Sequence, residues 1–303
     1  RAYRDLGRMS EERRKLSRLR GDGDRVKLRA MPELPEVETM AREMRQLLRG
    51  RRFEWATLSH TDLLHGVTGR ALTTGLAGAR VLGVERRAKN AVVLTDRRRL
   101  VIQPGMTGIM FVKKRLSERD RKYGVLQALL DDGRTFVYHD VRRLGTIRWL
   151  DEQGWARFSA AIGPEPLDPD FTPAVLGAAL GKSRAAIKKV IMDQRHLAGV
   201  GNIYANEALF CAGIDPSKEA RRLTPADHER LHHHIVRILR AAVKANGTTF
   251  RDYRTARGES GNFQLELMVY DRQGLPCRQC GTTLSSTHQI DARVTVFCHR
   301  CQR

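Results

Sequence analysis

Four of the five cysteines fall into two pairs, Cys277-x2-Cys280 and Cys298-x2-Cys301, with 17 residues between the pairs. Two thiolates on one tight turn facing two on another is the spacing of a tetrahedral four-cysteine zinc site. The insert is long enough for a hairpin, and Val294, Val296 and Phe297 suit one of its strands. Two disulfides are the alternative, but nothing else points to secretion and such bonds are rare in the cytosol. The expectation is one structural Zn2+ on Cys277, Cys280, Cys298 and Cys301; four protein ligands leave no open position for catalysis. Cys211, in an apolar helical setting, reads as a buried core thiol. The run His232-His233-His234 cannot chelate as a unit, because adjacent residues do not share a helix face, and it reads as partly solvated surface.

A second group of reactive types is the string Met31-Pro32-Glu33-Leu34-Pro35-Glu36-Val37-Glu38-Thr39. Pro35 followed by Glu36 and Glu38 starts a helix well: φ is fixed, no N–H is wasted, and acids sit at the positive end of the dipole. Val37, Met40, Ala41, Met44, Leu47 and Leu48 then form one apolar helical face, ended at Gly50.

The elements that must position these groups follow a clear order. Short β-type runs recur at Val81–Val84, Ala91–Leu94, Leu100–Gln103, Ile109–Val112, Val125–Leu130, Thr135–His139 and Thr146–Leu150. Without long helices between them, they predict an antiparallel sandwich or barrel. Pro164, Pro166, Pro169 and Pro173 then make a stiff connection. Helical patterns follow at 174–180, 184–196, 202–212 and 225–246. The predicted division is an extension at 1–31, a sandwich domain at 32–162, a linker at 163–173, a helical domain at 174–264 with a mobile loop at 251–263, and a zinc hairpin at 265–303. The fold class is α+β and multidomain.

The chain of 303 residues carries 55 Lys and Arg against 34 Asp and Glu, a net charge of +21. Residues 1–30 hold +6 of this, so +15 belongs to residues 31–303. Such a field favours a polyanion, nucleic acid above all. No apolar run of about 18 residues is present, which excludes a transmembrane helix. Residues 1–30 have too little apolar surface to offset ordering entropy, and read either as a basic tail or as a stretch absent from the native protein.

Several segments together resemble the formamidopyrimidine-DNA glycosylase family, bacterial repair enzymes that excise oxidised purines. They are MPELPEVET at 31–39, RRAKN at 86–90, GMTG at 105–108, DVRRLG at 140–145, GPEPL at 163–167, GVGNIYANEALF at 199–210 and the four-cysteine hairpin ending CHRCQR. The resemblance implies a β-sandwich amino domain with flanking helices, a helix–two-turn–helix domain carrying the zinc hairpin, and damaged double-stranded DNA in the cleft between them. It also implies a monomeric, cytoplasmic bacterial enzyme associated with the nucleoid, needing no redox or nucleotide cofactor.

By the same resemblance the nucleophile is Pro32, once it is amino-terminal. An α-amine titrates near 7.7–8 and a lysine near 10.4, so far more of the former is free to attack at neutral pH. Glu33 is the implied general acid and Glu36 helps to orient the site; a helix-start role suffices for Glu38. Lys89 and Arg293 are the implied phosphate and proton-transfer groups. Asn202 lies on a glycine turn whose backbone N–H groups would face a phosphate, and Arg184 is a further basic contact. Lys188 matches a basic position beside it, and a solvated basic face explains both Arg184 and Lys188 nearly as well. Met106, Arg142 and Leu144 take the positions that fill the gap left by the extruded base, with Arg143 between them as a phosphate contact or solvated charge. Leu144 departs from the usual Phe and cannot stack as well; Gln103 departs from the commoner His.

Two other readings compete. An endonuclease VIII-like enzyme for oxidised pyrimidines usually begins Pro-Glu-Gly-Pro-Glu, so Leu34 favours the purine side. A non-catalytic zinc-hairpin DNA-binding protein is disfavoured because Pro32, Glu33, Lys89 and Arg293 are all present. As numbered, the Pro32 nitrogen is an amide and cannot attack. The expectation is that translation begins at Met31, with that Met then removed, or that residues 1–31 are cleaved off.

Overall fold

The computed structural model describes residues 31–248 and 263–303. The extension at 1–30 and residues 251–262 of the loop expected to be mobile lie outside the described residues. Among the described residues the first element is helix α1, Leu34–Leu48, with Pro35 in its first turn. Its predicted face is deeply buried: Val37, Met40, Ala41, Met44 and Leu48 are at most 1% exposed, while Leu47 is only half-buried.

Two four-stranded antiparallel sheets follow. One holds β1 (Phe53–Leu58), β6 (Gly124–Leu130), β7 (Thr135–Asp140) and β5 (Gly108–Lys113), in that order. The other runs β2 (Val81–Arg87), β3 (Asn90–Thr95), β4 (Arg99–Gln103) and β8 (Thr146–Leu150). Every strand anticipated from the sequence is present. Unanticipated are β1 and three short helices, α2 (Gly69–Leu76), α3 (Glu118–Tyr123) and α4 (Glu152–Ala160). The inner faces carry Val84, Val93, Ile102, Met110, Leu126 and Phe136, all at most 2% exposed. Helix α1 packs on β2 and β3 of one sheet and on β5 of the other.

The helical part comprises α5 (Pro173–Leu180), α6 (Ile187–Met192), α7 (Asn202–Ala212) and α8 (Pro225–Lys244). Thr224 caps α8 by accepting from the Asp227 N–H, and Pro225 fills the first turn. Helix α7 matches its expected span and stops at Gly213, whose φ of 71° suits glycine. The expected helix at 184–196 is shorter. Asp193 accepts from the Arg195 N–H and ends α6 in an Asx turn. Helix α8 also packs on α1, so the amino-terminal helix is held between sandwich and helical layer in one continuous core.

The terminal hairpin pairs β9 (Ser285–Thr287) with β10 (Thr295–Phe297). Two side chains of α7 anchor this region. Asn206 accepts from the Val296 N–H at 2.8 Å. The buried Glu207 carboxylate accepts from the N–H groups of Met268, Val269 and Tyr270 at 2.7, 2.9 and 2.7 Å.

Candidate active site and metal centre

Pro32 and Glu33 lie at the amino end of α1, both buried. Glu33 reaches across to α7, where its carboxylate accepts from the Gly201 N–H at 2.6 Å and the Ile203 N–H at 2.9 Å. Two of the amides at that glycine turn, Gly201 and Ile203, therefore serve a buried carboxylate. A buried anion is satisfied at the positive end of a helix. A Cβ built on Gly201 would lie 2.6 Å from Glu33 Oε1 and 2.7 Å from Lys89 Nζ. Carboxylate and ammonium therefore converge where only glycine fits. Burial raises the Glu33 pKa, and Lys89 and the backbone donors offset part of that rise. A carboxyl biased toward its protonated form is suited to general-acid work.

Glu36 backs this group. It accepts from the Glu33 N–H at 2.9 Å, the Tyr204 hydroxyl at 2.7 Å and the Thr248 N–H at 2.9 Å. Burial, with the neighbouring Glu33 charge, pushes its pKa up to about 7.

Lys89 sits in a tight turn after β2, where Ala88 has a φ of 52°. That left-handed backbone costs a non-glycine residue about 1 kcal/mol or more and needs outside support. Glu165 of the proline-rich connection supplies it. One oxygen accepts from the Ala88 N–H at 2.6 Å and from Arg87 at 2.9 Å, and the other from Arg86 at 2.6 Å. The same connection reaches the helical part: Gly163 donates to Gln194 O, and Ala198 to Pro164 O. The turn bearing Lys89 and the loop leading to Gly201 are thus tied to one short segment. Burial lowers the Lys89 pKa; Glu33 partly restores it, and Arg293 lowers it further.

Arg293 is exposed just before β10. The strand beneath it is fixed by Lys188 of α6, whose ammonium donates to Val294 O at 3.2 Å and Thr295 Oγ1 at 2.8 Å and lies 3.6 Å from Asp291. Lys188 is fully buried, so the solvated-face alternative does not hold for it. A lysine on an amphipathic helix turns inward when carbonyl and carboxylate acceptors await it. Tyr270 was missed by the sequence reading. It is buried, hydrogen-bonds Asn202, and is pushed up to about 12 by burial and by the Glu33 charge. Its one sequence signal is an aromatic placed shortly before the first cysteine pair. Arg184 is exposed, near Glu219.

Met106, Arg142 and Leu144 lie on the two connections between the sheets, where Arg142 Nη1 is 3.7 Å from Met106 Sδ; Gln103, which leads into the Met106 turn, reaches Met31 beside Pro32. Leu144 is 46% exposed and Val141 39%. Arg143, with φ 53°, is turned back to Asp62 at 3.4 Å and His60 at 3.0 Å.

The four Sγ atoms of Cys277, Cys280, Cys298 and Cys301 lie within 4.8 Å of one another. Cys277 and Cys301 are 3.9 Å apart, and Cys280 and Cys298 3.5 Å. Thiolates about 2.3 Å from a tetrahedral centre stand about 3.8 Å from each other, so the donor set fits one metal ion. Cys211 is half-buried and lines a cavity of about 270 Å³ with His234, Arg237 and Met268. It is not the core thiol expected, because α7 turns that position toward the edge of α8.

Residues 31–147 match the family described as Formamidopyrimidine-DNA glycosylase N-terminal domain. Residues 162–254 match that described as Formamidopyrimidine-DNA glycosylase H2TH domain. The formamidopyrimidine-DNA glycosylase of Symbiobacterium thermophilum is 40% identical over 274 residues, covering 90% of this chain and 89% of that protein. Lactococcus lactis Fpg, in complex with DNA containing an abasic site, superposes with a TM-score of 0.80 at 31% identity, over 89% of this chain and 99% of the other. A MutM in complex with DNA containing carbocyclic 8-oxo-G gives 0.82 at 32% identity, over 90% and 100%. The chain belongs to the formamidopyrimidine-DNA glycosylase family. Among the described residues no helix is long and apolar enough to cross a membrane.

Proposed function

We propose that this protein excises oxidised purines, 8-oxoguanine and ring-opened formamidopyrimidines, from duplex DNA and cuts the strand by β- and δ-elimination. The observation that carries this reading is the convergence of Glu33 and Lys89 on Gly201, beside a buried Pro32. The lesion nucleotide leaves the stack to reach them. The secondary amine of an amino-terminal Pro32 attacks C1′, Glu33 protonates the ring oxygen, and the base departs. The iminium draws electrons from the C2′–H bond, and loss of that proton expels the 3′ phosphate. Loss of the C4′ proton then expels the 5′ phosphate, with Arg293 on the flanking phosphates and Lys89 assisting proton transfer. Met106, Arg142 and Leu144 fill the vacated stack; Arg143, Arg184 and Asn202 contact the backbone. Zinc is the ion the four thiolates hold, fixing the hairpin that bears Arg293.

The test is a borohydride trap on a duplex containing 8-oxoguanine. Protein beginning at Pro32 forms the covalent adduct; protein that retains Met31 and the residues before it does not. An extended form, shown intact by mass, that traps at an undiminished rate would overturn Pro32 as nucleophile. Faster release of oxidised pyrimidines than of 8-oxoguanine would overturn the purine assignment.

A further inference from the structure

The sandwich is crossed at one end by two short connections. Pro104–Thr107 leads from the end of β4 to the start of β5, and Val141–Gly145 from the end of β7 to the start of β8. The pairings Gln103↔Thr146 and Gly108↔Asp140 set them side by side, running in opposite directions between the two sheets. Each is a tight turn, closed by Gly108 N to Gly105 O at 2.9 Å and by Arg143 N to Asp140 O at 3.3 Å.

They are also joined to each other through polar groups. Thr107 Oγ1 donates to Asp140 Oδ1 at 2.5 Å and accepts from the Arg142 N–H at 2.9 Å. Asp140, 1% exposed, accepts on its other oxygen from the Gly145 N–H at 3.0 Å and the Tyr138 hydroxyl at 3.1 Å. Contact between the backbones leaves no slack. A Cβ on Gly105 would lie 2.7 Å from the Gly145 nitrogen and 2.8 Å from Asp140 Oδ2.

We propose that Thr107 is a positioning residue that locks the two connections into a single wedge, so that Met106 and Leu144 enter the duplex as one rigid body. The proposal rests on the reading that these two side chains fill the gap left by an extruded base. It matters here because residue 144 is leucine. An aromatic ring can hold a place in the stack by its own face, whereas a leucine wedge acts only by shape and depends on where its backbone is held. The hydroxyl of Thr107 ties its own turn to the other by accepting from the Arg142 N–H, and its bond to Asp140 is cooperative with the network that the buried carboxylate makes with Gly145 and Tyr138.

Thr107→Val keeps the shape and removes the bond; Thr107→Ser keeps the bond. Single-turnover excision of 8-oxoguanine is compared with cleavage at a preformed abasic site, where no base has to be extruded. The expected result is a fall of about tenfold in the ratio of the two rates in Thr107→Val, the size of one hydrogen bond, and its recovery in Thr107→Ser. In the parent protein, Met106→Ala and Leu144→Ala are expected to be non-additive in excision, and to become additive once Thr107 is Val. Should Thr107→Val not fold, Asp140→Asn breaks the same network and is read in the same cycle. An unchanged ratio with undiminished coupling overturns the role of Thr107. Met106→Ala and Leu144→Ala each without effect on excision overturns the wedge reading itself, a separate and distinguishable failure.

Discussion

Lys188 carries a positive charge in a fully buried position, and what that costs can be measured. Burial brings its pKa down from 10.5 to about 8, although the nearby Asp291 pulls it up. A depressed folded pKa means that between these values the unfolded chain binds the proton more tightly. The contribution to stability is therefore fully present above pH 10.5 and is lost as the pH falls through about 8. Lys188→Met removes the titration. Urea unfolding of the two proteins is expected to show wild type gaining on the variant as pH rises from about 8 to 10.5, and parallel curves would sink the idea. At this scale the sequence was legible where partners are adjacent, as for Pro32 and Glu33, which the structure buries together at the start of α1. It was not legible where a side chain acts through distant partners. Glu36 is defined by Tyr204 and Thr248, and Lys188 by Val294 and Thr295, and no local pattern joins those positions. The acid role gives a second expectation. Glu33→Gln cannot protonate the opening sugar and should slow excision by about 10²–10⁴. Trapping at a preformed abasic site, whose sugar already opens in solution, should be slowed far less. Equal losses in the two assays would remove Glu33 from the acid role.

The zinc hairpin is the element most dependent on something other than its own packing. Its strands are three residues each, and its small apolar cluster includes Cys277 and Cys298 themselves. Metal binding must therefore supply much of its folding free energy. Cys298→Ser is expected to lose bound zinc and DNA affinity together, measured by metal content and by anisotropy. Zinc-free protein with full DNA affinity would refute this. The anchors on α7 predict a local effect: Asn206 and Glu207 hold their segments to the helical core, so the loss should spread from the hairpin and leave the sandwich folded. Elements read from sequence were those with a clear period, such as α1, α8 and the inner strands. The ones missed lack it. Strand β1 lies at a sheet edge with only Phe53 fully buried. Helix α3, of sequence ERDRKY, has no apolar face and is set by the Ser117–Asp120 capping box. Helix 184–196 was read too long because Asp193 looks acceptable in a helix until its side chain turns back on Arg195.

Across the whole molecule the positive charge is large, but much of it is already engaged. Arg86 and Arg87 are held by Glu165, Arg45 by Val84 O and Arg134 by Asp132. The net +15 of residues 31–303 already subtracts the cations paired with acids, and it does not say which of the rest face DNA. The proposed phosphate contacts are fewer: Lys89, Arg143, Arg184 and Arg293. Each phosphate neutralised contributes about −0.9 to the slope of log K against log salt, so these four give about −3.6. Affinity for a lesion-bearing duplex should then fall roughly 150-fold between 50 and 200 mM salt, by the same relation. A slope of about −13.5, one phosphate for every net charge, would show that the contacts extend well beyond these four. The pair most able to shift the number is Arg143 with Asp62, since both are half-exposed, at 44% and 51%, and such pairs contribute little to hold them closed. If Arg143 stays with Asp62 the slope is about −2.7, and Asp62→Asn should restore it to about −3.6. Arg184→Ala should reduce its magnitude by about one and weaken binding to any sequence alike. A slope that ignored both substitutions would place the DNA on another face of the protein.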